Sequence, residues 1–119
     1  MEKNLLYAEM LDIYRDILTP KQAEALDYYY DKDYSLGEIS ELMDISRQGV
    51  RDFIKRGETV MSALESKLNL IGKFNELRKI APAVNEIKAL NKRYSEVKDI
   101  DRLSDEILQV MRFIEKEVE

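Results

Sequence analysis

The stretch at residues 34–54 constrains the fold of this 119-residue chain more than any other. Ser35 and Glu38 form a capping box, in which the serine oxygen accepts a first-turn N–H and the glutamate returns to the N–H of the cap residue. Ser46 supplies a second N-cap. Between the two caps, Asp44 tolerates the left-handed or turn conformation that a tight reversal requires. The sequence therefore predicts two short helices joined by a tight turn.

Apolar residues give each of these helices an inner face. In the first helix they recur at the spacing of an amphipathic helix: Ile39, Leu42 and Met43. In the second helix the inner stripe consists of Val50, Phe53 and Ile54. The opposite stripe is polar and basic and consists of Arg47, Gln48, Arg51 and Lys55. This pattern is a helix-turn-helix whose second helix presents a basic outer face.

The composition excludes several kinds of chemistry. The chain has no cysteine and no histidine, which removes disulfides, thiol chemistry, imidazole metal sites and histidine acid–base catalysis. No spacing resembles an EF-hand loop, a glycine-rich phosphate loop or a nucleophile–base pair. We therefore expect no enzyme activity, no bound metal and no cofactor. The apolar runs are too short to span a membrane and the start lacks a signal-peptide pattern, so we expect a cytoplasmic protein without membrane insertion.

Charge is distributed unevenly along the chain. Residues 1–68 contain nine Lys or Arg and fourteen Asp or Glu, a net charge of −5, whereas residues 69–119 contain ten of each sign. Proteins that bind nucleic acid mainly by neutralising phosphates are usually basic overall. The second helix of the motif is an exception within this acidic chain, because Arg47, Arg51, Lys55 and Arg56 outweigh Asp52. The acidic remainder weakens non-specific binding, but the basic face lies where a groove-reading helix needs it.

The rest of the sequence predicts further helices. Residues 3–17 have amphipathic spacing, and a second helix begins with a capping box formed by Thr19 and Gln22. After the motif, helical spacing continues to about residue 79, with a kink or interruption predicted at residues 69–72. Pro82 is expected to end this helix, because the residue before a proline is disfavoured in helical geometry. It also suits the first turn of a new helix. A last helix is expected to be capped by Asp101 or Ser104.

The apolar residues of the last fifty positions alternate by three and four. This narrow stripe, flanked by charges of both signs, is typical of an antiparallel helical hairpin or of a coiled-coil seam between chains. The alternative is that it packs back onto residues 3–30. We predict a helix-turn-helix domain at residues 1–68 and a helical arm at residues 69–119 that serves dimerisation or packing, and we expect a homodimer because isolated amphipathic helices are marginal without a partner surface.

A recognition helix enters the major groove N-terminus first, so the residues just after Ser46 are expected to contact bases. Arg47 or Arg51 can bind a guanine edge and Gln48 an adenine edge with two hydrogen bonds. Later residues of the helix, and the cap of the preceding helix, are better placed for phosphates. The candidate nucleic-acid-binding residues are therefore Ser35, Ser46, Arg47, Gln48, Arg51, Lys55 and Arg56. The alternative is that these residues form only the solvated side of an amphipathic helix.

Two family resemblances bear on this interpretation. Residues 18–66 resemble region 4 of bacterial sigma-70-type factors, which reads a promoter element, through Leu18-Thr19-Pro20-Lys21-Gln22, Tyr30, Ser35-x-x-Glu38-Ile39-Ser40 and Ile45-Ser46-Arg47-x-x-Val50-Arg51. The whole chain is similar to the YlxM-like helix-turn-helix proteins, through Tyr28-Tyr29-Tyr30, Tyr34-Ser35-Leu36-Gly37-Glu38-Ile39 and Ser46-Arg47-Gln48-Gly49-Val50. The resemblance implies an all-α fold of the sigma region 4-like, winged-helix-like repressor DNA-binding type with a C-terminal helical extension. It also implies a regulatory link to the signal recognition particle pathway.

Three functions remain open at this point. The first is a regulator that binds double-stranded DNA as a dimer. The second is an accessory factor that binds the RNA or protein of the signal recognition particle. RNA binding would use phosphates, loops or shape, because the deep, narrow major groove of A-form RNA excludes a helix. The third is a protein-interaction adaptor that does not bind nucleic acid.

Overall fold

The computed structural model describes residues 3–118, with side chains as far as Ile114. This part of the chain is helical and contains no β-strand, which confirms the predicted all-α class and the helix-turn-helix within it. A 3₁₀ turn (Arg15–Ile17) follows the first helix and a π-helical turn (Asp27–Asp31) continues the second. The α-helices are α1 (Leu5–Tyr14), α2 (Pro20–Leu26), α3 (Leu36–Met43), α4 (Arg47–Leu68), α5 (Leu70–Arg78), α6 (Ile80–Tyr94) and α7 (Lys98–Val118).

Local capping explains where α2 and α3 begin. At the start of α2, Gln22 N–H donates to Thr19 Oγ1 at 3.3 Å and Thr19 N–H donates to Gln22 Oε1 at 3.1 Å. The same reciprocal pair joins Ser35 and Glu38 at α3, with distances of 3.1 and 3.2 Å. Each pair satisfies two N–H groups that a helix start otherwise leaves without partners. Both predicted capping boxes are confirmed.

The chain divides into two compact units, Met1–Ile71 and Gly72–Glu119. In the first unit, α4 packs against α1, α2 and α3. The largest fully buried side chains come from all four helices: Tyr14, Leu11, Leu26, Ile39, Ile54, Met61 and Val50. One predicted inner residue lies outside this core, because Leu42 of α3 is 55% exposed. The burial of the inner stripe of α4 therefore organises the first unit.

Glu65 fixes the predicted interruption after α4. Its carboxylate accepts a hydrogen bond from Tyr14 Oη at 2.7 Å and another from Ile71 N–H at 3.1 Å. Asn69 adopts a left-handed φ of 49°, and its N–H donates to the Glu65 carbonyl oxygen at 2.8 Å. Asparagine tolerates this conformation at a helix end. One side chain thus ties α1 to the start of α5 and ends α4 at Leu68.

In the second unit, α6 and α7 form an antiparallel hairpin with a narrow seam. Val84 and Met111 are buried in it, together with the polar residues Asn91 and Ser104. The Asn91 amide closes the connecting loop, since its Nδ2 donates to the Val97 carbonyl oxygen and its Oδ1 accepts the Val97 N–H, both at 2.9 Å. This tight closure lets α7 begin at Lys98.

The sequence-based start of α7 at Asp101 or Ser104 was wrong. Asp101 lies in the first turn of α7 and Ser104 lies in its interior, where it is buried against α6. The earlier start depends on the contact between Asn91 and Val97, which brackets the loop from the preceding helix. Capping preferences alone contain no information about such a contact.

Gly57 lies where α4 packs closely against α2. A Cβ atom built on this residue would lie 2.5 Å from Leu26 Cδ1 and 3.6 Å from Gln22 Cβ. Leu26 is fully buried, so its side chain has little room to move away. A glycine within a long helix costs up to about 1 kcal/mol relative to alanine. Here the missing side chain permits the two helices to pack.

Gly57→Ala is expected to lower the free energy of unfolding by about 1–3 kcal/mol, because overpacking of the α2–α4 contact outweighs the gain in helix propensity. Chemical denaturation measures the difference. Gly37→Ala is the matched control: its new methyl would lie 3.0 Å from Arg47 Nη2, at the end of a flexible and exposed side chain. The control should be close to neutral, and equal destabilisation by both substitutions would contradict this account of Gly57.

The ionisation of Tyr14 supplies a second test. Burial, together with the hydrogen bond to Glu65 and its negative charge, raises the pKa of Tyr14 from 10.0 to about 12. The neutral phenol is therefore favoured in the folded state, and its contribution to stability, complete below pH 10, should be lost as the pH rises through about 12. Tyr14→Phe should remove part of the fall in unfolding free energy over this range. The unfolding free energy of both proteins is measured against pH, and tyrosinate absorbance reports the ionisation. A variant with the same pH dependence as the wild type would contradict the assignment of the raised pKa to Tyr14.

Candidate nucleic-acid interface

The turn of the helix-turn-helix is built by backbone hydrogen bonds and one left-handed residue. Asp44 has a φ of 55° and ends α3, and the Ser40 carbonyl oxygen accepts the N–H groups of Asp44 and Ile45. Ser46 then caps α4, because its Oγ accepts the Gly49 N–H at 2.9 Å. The predicted use of Asp44 in the turn and of Ser46 as the second cap is confirmed.

All seven candidate residues are exposed. They occupy the first three turns of α4 and the cap of α3, while the inner side of α4 is buried through Val50, Ile54 and Gly57. Across residues 3–114, no carboxylate lies within 4.0 Å of the charged nitrogens of Arg47, Arg51, Lys55 or Arg56. The start of α4 therefore exposes four positive charges that are not neutralised by ion pairs.

Arg15, also in the first unit, differs from the cations of α4 because carboxylates neutralise its charge. Its guanidinium contacts Asp27 Oδ1 at 2.5 Å and Asp31 Oδ2 at 2.8 Å. Hydrogen bonding to Asp27 and the charges of neighbouring carboxylates raise the pKa of Arg15, against the opposing and largest effect of burial. The charge of this arginine is neutralised by ion pairs, whereas the arginines of α4 have none among residues 3–114.

Arg47 rests against α3. A Cβ atom built on Gly37 would lie 3.0 Å from Arg47 Nη2 and 3.2 Å from Arg47 Nε, so the guanidinium packs on the first turn of α3 across the space that glycine leaves open. The positive charge of Arg47 therefore lies over Gly37, in the first turn of α3. Gly37 was not among the site residues predicted from the sequence. A glycine at the second position of a short capped helix was the available signal, since it weakens a helix unless something packs there.

Gln48 already has a partner. Its Nε2 donates to Asp52 Oδ1 at 3.0 Å, one turn further along α4. A two-pronged contact with adenine uses the amide oxygen and one of the two N–H groups of Nε2, so the other N–H can keep its hydrogen bond to Asp52. From the sequence, Asp52 was only a negative charge beside the basic residues. The structure shows that this carboxylate also orients the neighbouring amide.

Lys55 and Arg56 lie on the flank of α4 that faces α2. Together with Gln22, Thr59 and Val60 they line an open surface concavity of about 450 Å³. Glu58 lies on the other flank, where burial raises its pKa despite the hydrogen bond from Tyr30 and the nearby charge of Lys55. The two basic residues are thus separated from the Arg47 end of the helix by two turns.

The cap residues Ser35 and Ser46 are engaged through their oxygen lone pairs. Each Oγ accepts a backbone N–H of its own helix, from Glu38 and Gly49 respectively. The hydroxyl proton of each serine remains available to donate to a phosphate. Both residues therefore cap the start of a helix, and a contact with phosphate would be a second role for each.

The candidate residues together form an exposed, polar face at the start of α4. Across the described residues, no group of three or more His, Cys, Asp or Glu side chains is arranged to hold a metal ion. None of the described helices is long and apolar enough to cross a membrane. A protruding helix start with unpaired cations is suited to contact a large anionic surface.

The cap of α4 generates a stability prediction. Ser46→Ala removes the acceptor for the Gly49 N–H and should lower the free energy of unfolding by about 0.5–2 kcal/mol. Ser66→Ala is the matched control, because Ser66 is exposed within the last turns of α4. Thermal and chemical unfolding of both variants measure the difference. A loss of stability no greater than that of the control would show that Ser46 does not stabilise the start of α4.

The chain matches a known protein family along most of its length. The sequence profile of UPF0122, described as "Putative helix-turn-helix protein, YlxM / p13 like", covers residues 1–103. A UPF0122 protein of Thermoanaerobacter sp. (strain X514) is 39% identical over 120 aligned positions, which cover 100% of this chain and 97% of that protein.

Two further relatives support the assignment. A UPF0122 protein of Acetivibrio thermocellus is also 39% identical, covering 100% of this chain and 96% of that protein. One from Caldanaerobacter subterraneus is 47% identical over 87 residues, covering 72% of this chain and 74% of that protein. The helix-turn-helix is present in the structure, and the profile match over residues 1–103 includes all of it. The chain therefore belongs to the UPF0122 family of YlxM/p13-like helix-turn-helix proteins.

Proposed function

We propose that this protein is a non-enzymatic regulator that binds double-stranded DNA through the exposed start of α4. The observation that carries the proposal is the set of four exposed cations without ion pairs, on the second helix of a helix-turn-helix. In this motif the second helix lies in the major groove and its N-terminal residues contact base edges. The description of the family as helix-turn-helix proteins supports the same class of ligand.

Each candidate residue has a distinct role in this proposal. Arg51 extends into solvent one turn after the cap and contacts a base edge, preferentially guanine. Arg47 contacts a base or an adjacent phosphate from its position over Gly37. Gln48 reads adenine with its amide oxygen and one N–H, while its hydrogen bond to Asp52 orients the amide. Phosphate contacts come from the two ends of the face, through Ser35, Ser46, Lys55 and Arg56.

We further propose that the protein acts as a cytoplasmic homodimer. Dimeric helix-turn-helix proteins read two half-sites about one helical turn of DNA apart, so two copies of α4 would recognise a palindromic site. Two copies also double the number of phosphate contacts that one assembly makes.

The family resemblance supports a second candidate function. In it, the RNA or protein of the signal recognition particle is contacted by the same basic face of α4, which is a local patch on an acidic chain. RNA would be contacted through phosphates and loops.

Replacing Arg47 and Arg51 with alanine tests the first candidate. The double variant should lose about 1–3 kcal/mol of DNA-binding free energy for each base contact removed, with a shallower dependence on salt. Its thermal stability should stay close to that of the wild type, because both side chains are exposed. Lys67→Ala/Lys73→Ala removes the same charge from two other exposed positions and is the matched control.

Fluorescence anisotropy measures these affinities against duplex DNA and against signal recognition particle RNA, at low and near-physiological salt. Saturable DNA binding that the Arg47/Arg51 variant loses and the control retains would support the regulator. Binding to RNA alone would favour the second candidate. Binding to neither nucleic acid at low salt would contradict both nucleic-acid functions and favour a protein adaptor.

A further inference from the structure

The α6–α7 hairpin carries a continuous stripe of exposed apolar side chains. On α6 the largest exposures are those of Ile87, at 52%, and Tyr94, at 73%. On α7, Ile107 is 45% exposed and Val110 is 58% exposed. The stripe as defined here consists of Ile80, Ile87, Leu90, Tyr94, Val97, Ile100, Leu103, Ile107 and Val110. Single exposed apolar residues are ordinary, but a contiguous set of this length marks an interaction surface.

Both halves of the stripe lie on the same side of the hairpin. Residues of an α-helix are about 100° apart, which places the stripe on each helix roughly 90° from the residues that face the other helix. The rotation has the same sense along both helices. Because the helices are antiparallel, it brings the two halves of the stripe to the same side of the hairpin. The ion pair of Lys88 with Asp105, at 2.7 Å, and its weaker contact with Asp101, at 3.8 Å, lie on the opposite side.

The seam between α6 and α7 is too thin to account for the apolar residues of the hairpin. Val84 and Met111 are its buried apolar residues, Leu108 is partly buried, and Asn91 and Ser104 are buried polar ones. Two helices that share so small a core are marginal without another apolar surface. In a four-helix bundle, the two helices of a hairpin pack on one seam and contact the other pair of helices through a second apolar stripe at right angles to that seam. The α6–α7 hairpin has the features of one such half.

We propose that the stripe is the homodimer interface, where the hairpin of a second copy completes an antiparallel four-helix bundle. This inference gives the homodimer proposed above its surface, and its test needs no DNA. Apolar side chains of this size expose on the order of 100 Å² each when free, so nine that are about half exposed present roughly 500 Å². A standard interface buries about 800 Å² per partner, of which up to about 65% is apolar. The stripe therefore matches the apolar area that one side of a dimer needs.

The chemistry of the stripe favours an identical partner. It contains no charged side chain, so it does not require a partner of opposite charge. On the other side of the hairpin, the charges of Lys88, Asp101 and Asp105 are satisfied within the hairpin itself. Aliphatic residues that alternate by three and four interlock with the same pattern on an antiparallel helix. A two-fold axis through the stripe would pair the surface with itself, as dimers generally do.

Sedimentation equilibrium over a range of protein concentrations, without nucleic acid, tests the proposal. The wild-type chain should be a dimer at micromolar concentration. Ile87→Glu/Ile107→Glu places two charges in the centre of the stripe and should raise the dimer Kd by on the order of 100-fold or more. Glutamate is a strong helix former and both positions are exposed in the single chain, so helicity by circular dichroism should be unchanged.

Ala89→Glu/Gln109→Glu is the matched control. It also adds two negative charges, at exposed positions of α6 and α7 on the side away from the stripe, and it should leave the dimer intact. Selective loss of the dimer in the Ile87/Ile107 variant supports the proposal. A monomeric wild-type chain at tens of micromolar would overturn it, and so would a dimer that survives the double substitution. Because neither result depends on DNA, a failure here is distinguishable from a failure of the proposed function.

Discussion

The burial of the inner face of α4 is the interaction on which the first unit depends. Val50, Ile54 and Met61 are completely removed from solvent, and Gly57 allows α2 to approach closely enough to cover them. Burying such side chains contributes about 1.5–3 kcal/mol each. Because α4 is held on this face by three other helices, its opposite face and its N-terminus are presented to solvent in a fixed orientation. The same helix thus serves as the centre of the core and as the candidate recognition surface.

The distribution of ion pairs separates structural charges from available ones. Arg15 is neutralised by two aspartates, and Lys88 is neutralised within the hairpin. The cations at the start of α4 have no such partners among the described residues, although the chain has more acidic than basic side chains. An acidic protein with an unneutralised basic helix face is suited to short-range recognition rather than to tight non-specific binding. The proposed dimer fits this view, because two weak faces in one dimer bind more tightly than either alone.

Much of the fold and of the candidate site could be predicted from residue order. The capping boxes at Thr19 and Ser35, the left-handed turn at Asp44 and the cap at Ser46 all depend on contacts within four residues, for which local sequence is sufficient. The exposure of the basic face followed from helical periodicity. The start of α7 could not be predicted in this way, because it depends on a side-chain contact across a loop, from Asn91 to Val97.

By itself, the sequence determined that the chain is all-α, that it contains a helix-turn-helix, and that the outer face of its second helix is basic. These properties follow from spacing, caps and composition, which are local. Only the tertiary structure decided that Arg47 packs over Gly37, that Gln48 is held by Asp52, and that Glu65 joins α1 to the start of α5. Each of these contacts depends on how the side chains are oriented once the helices have packed. Local sequence does not specify that orientation, because it is set by the formation of the core.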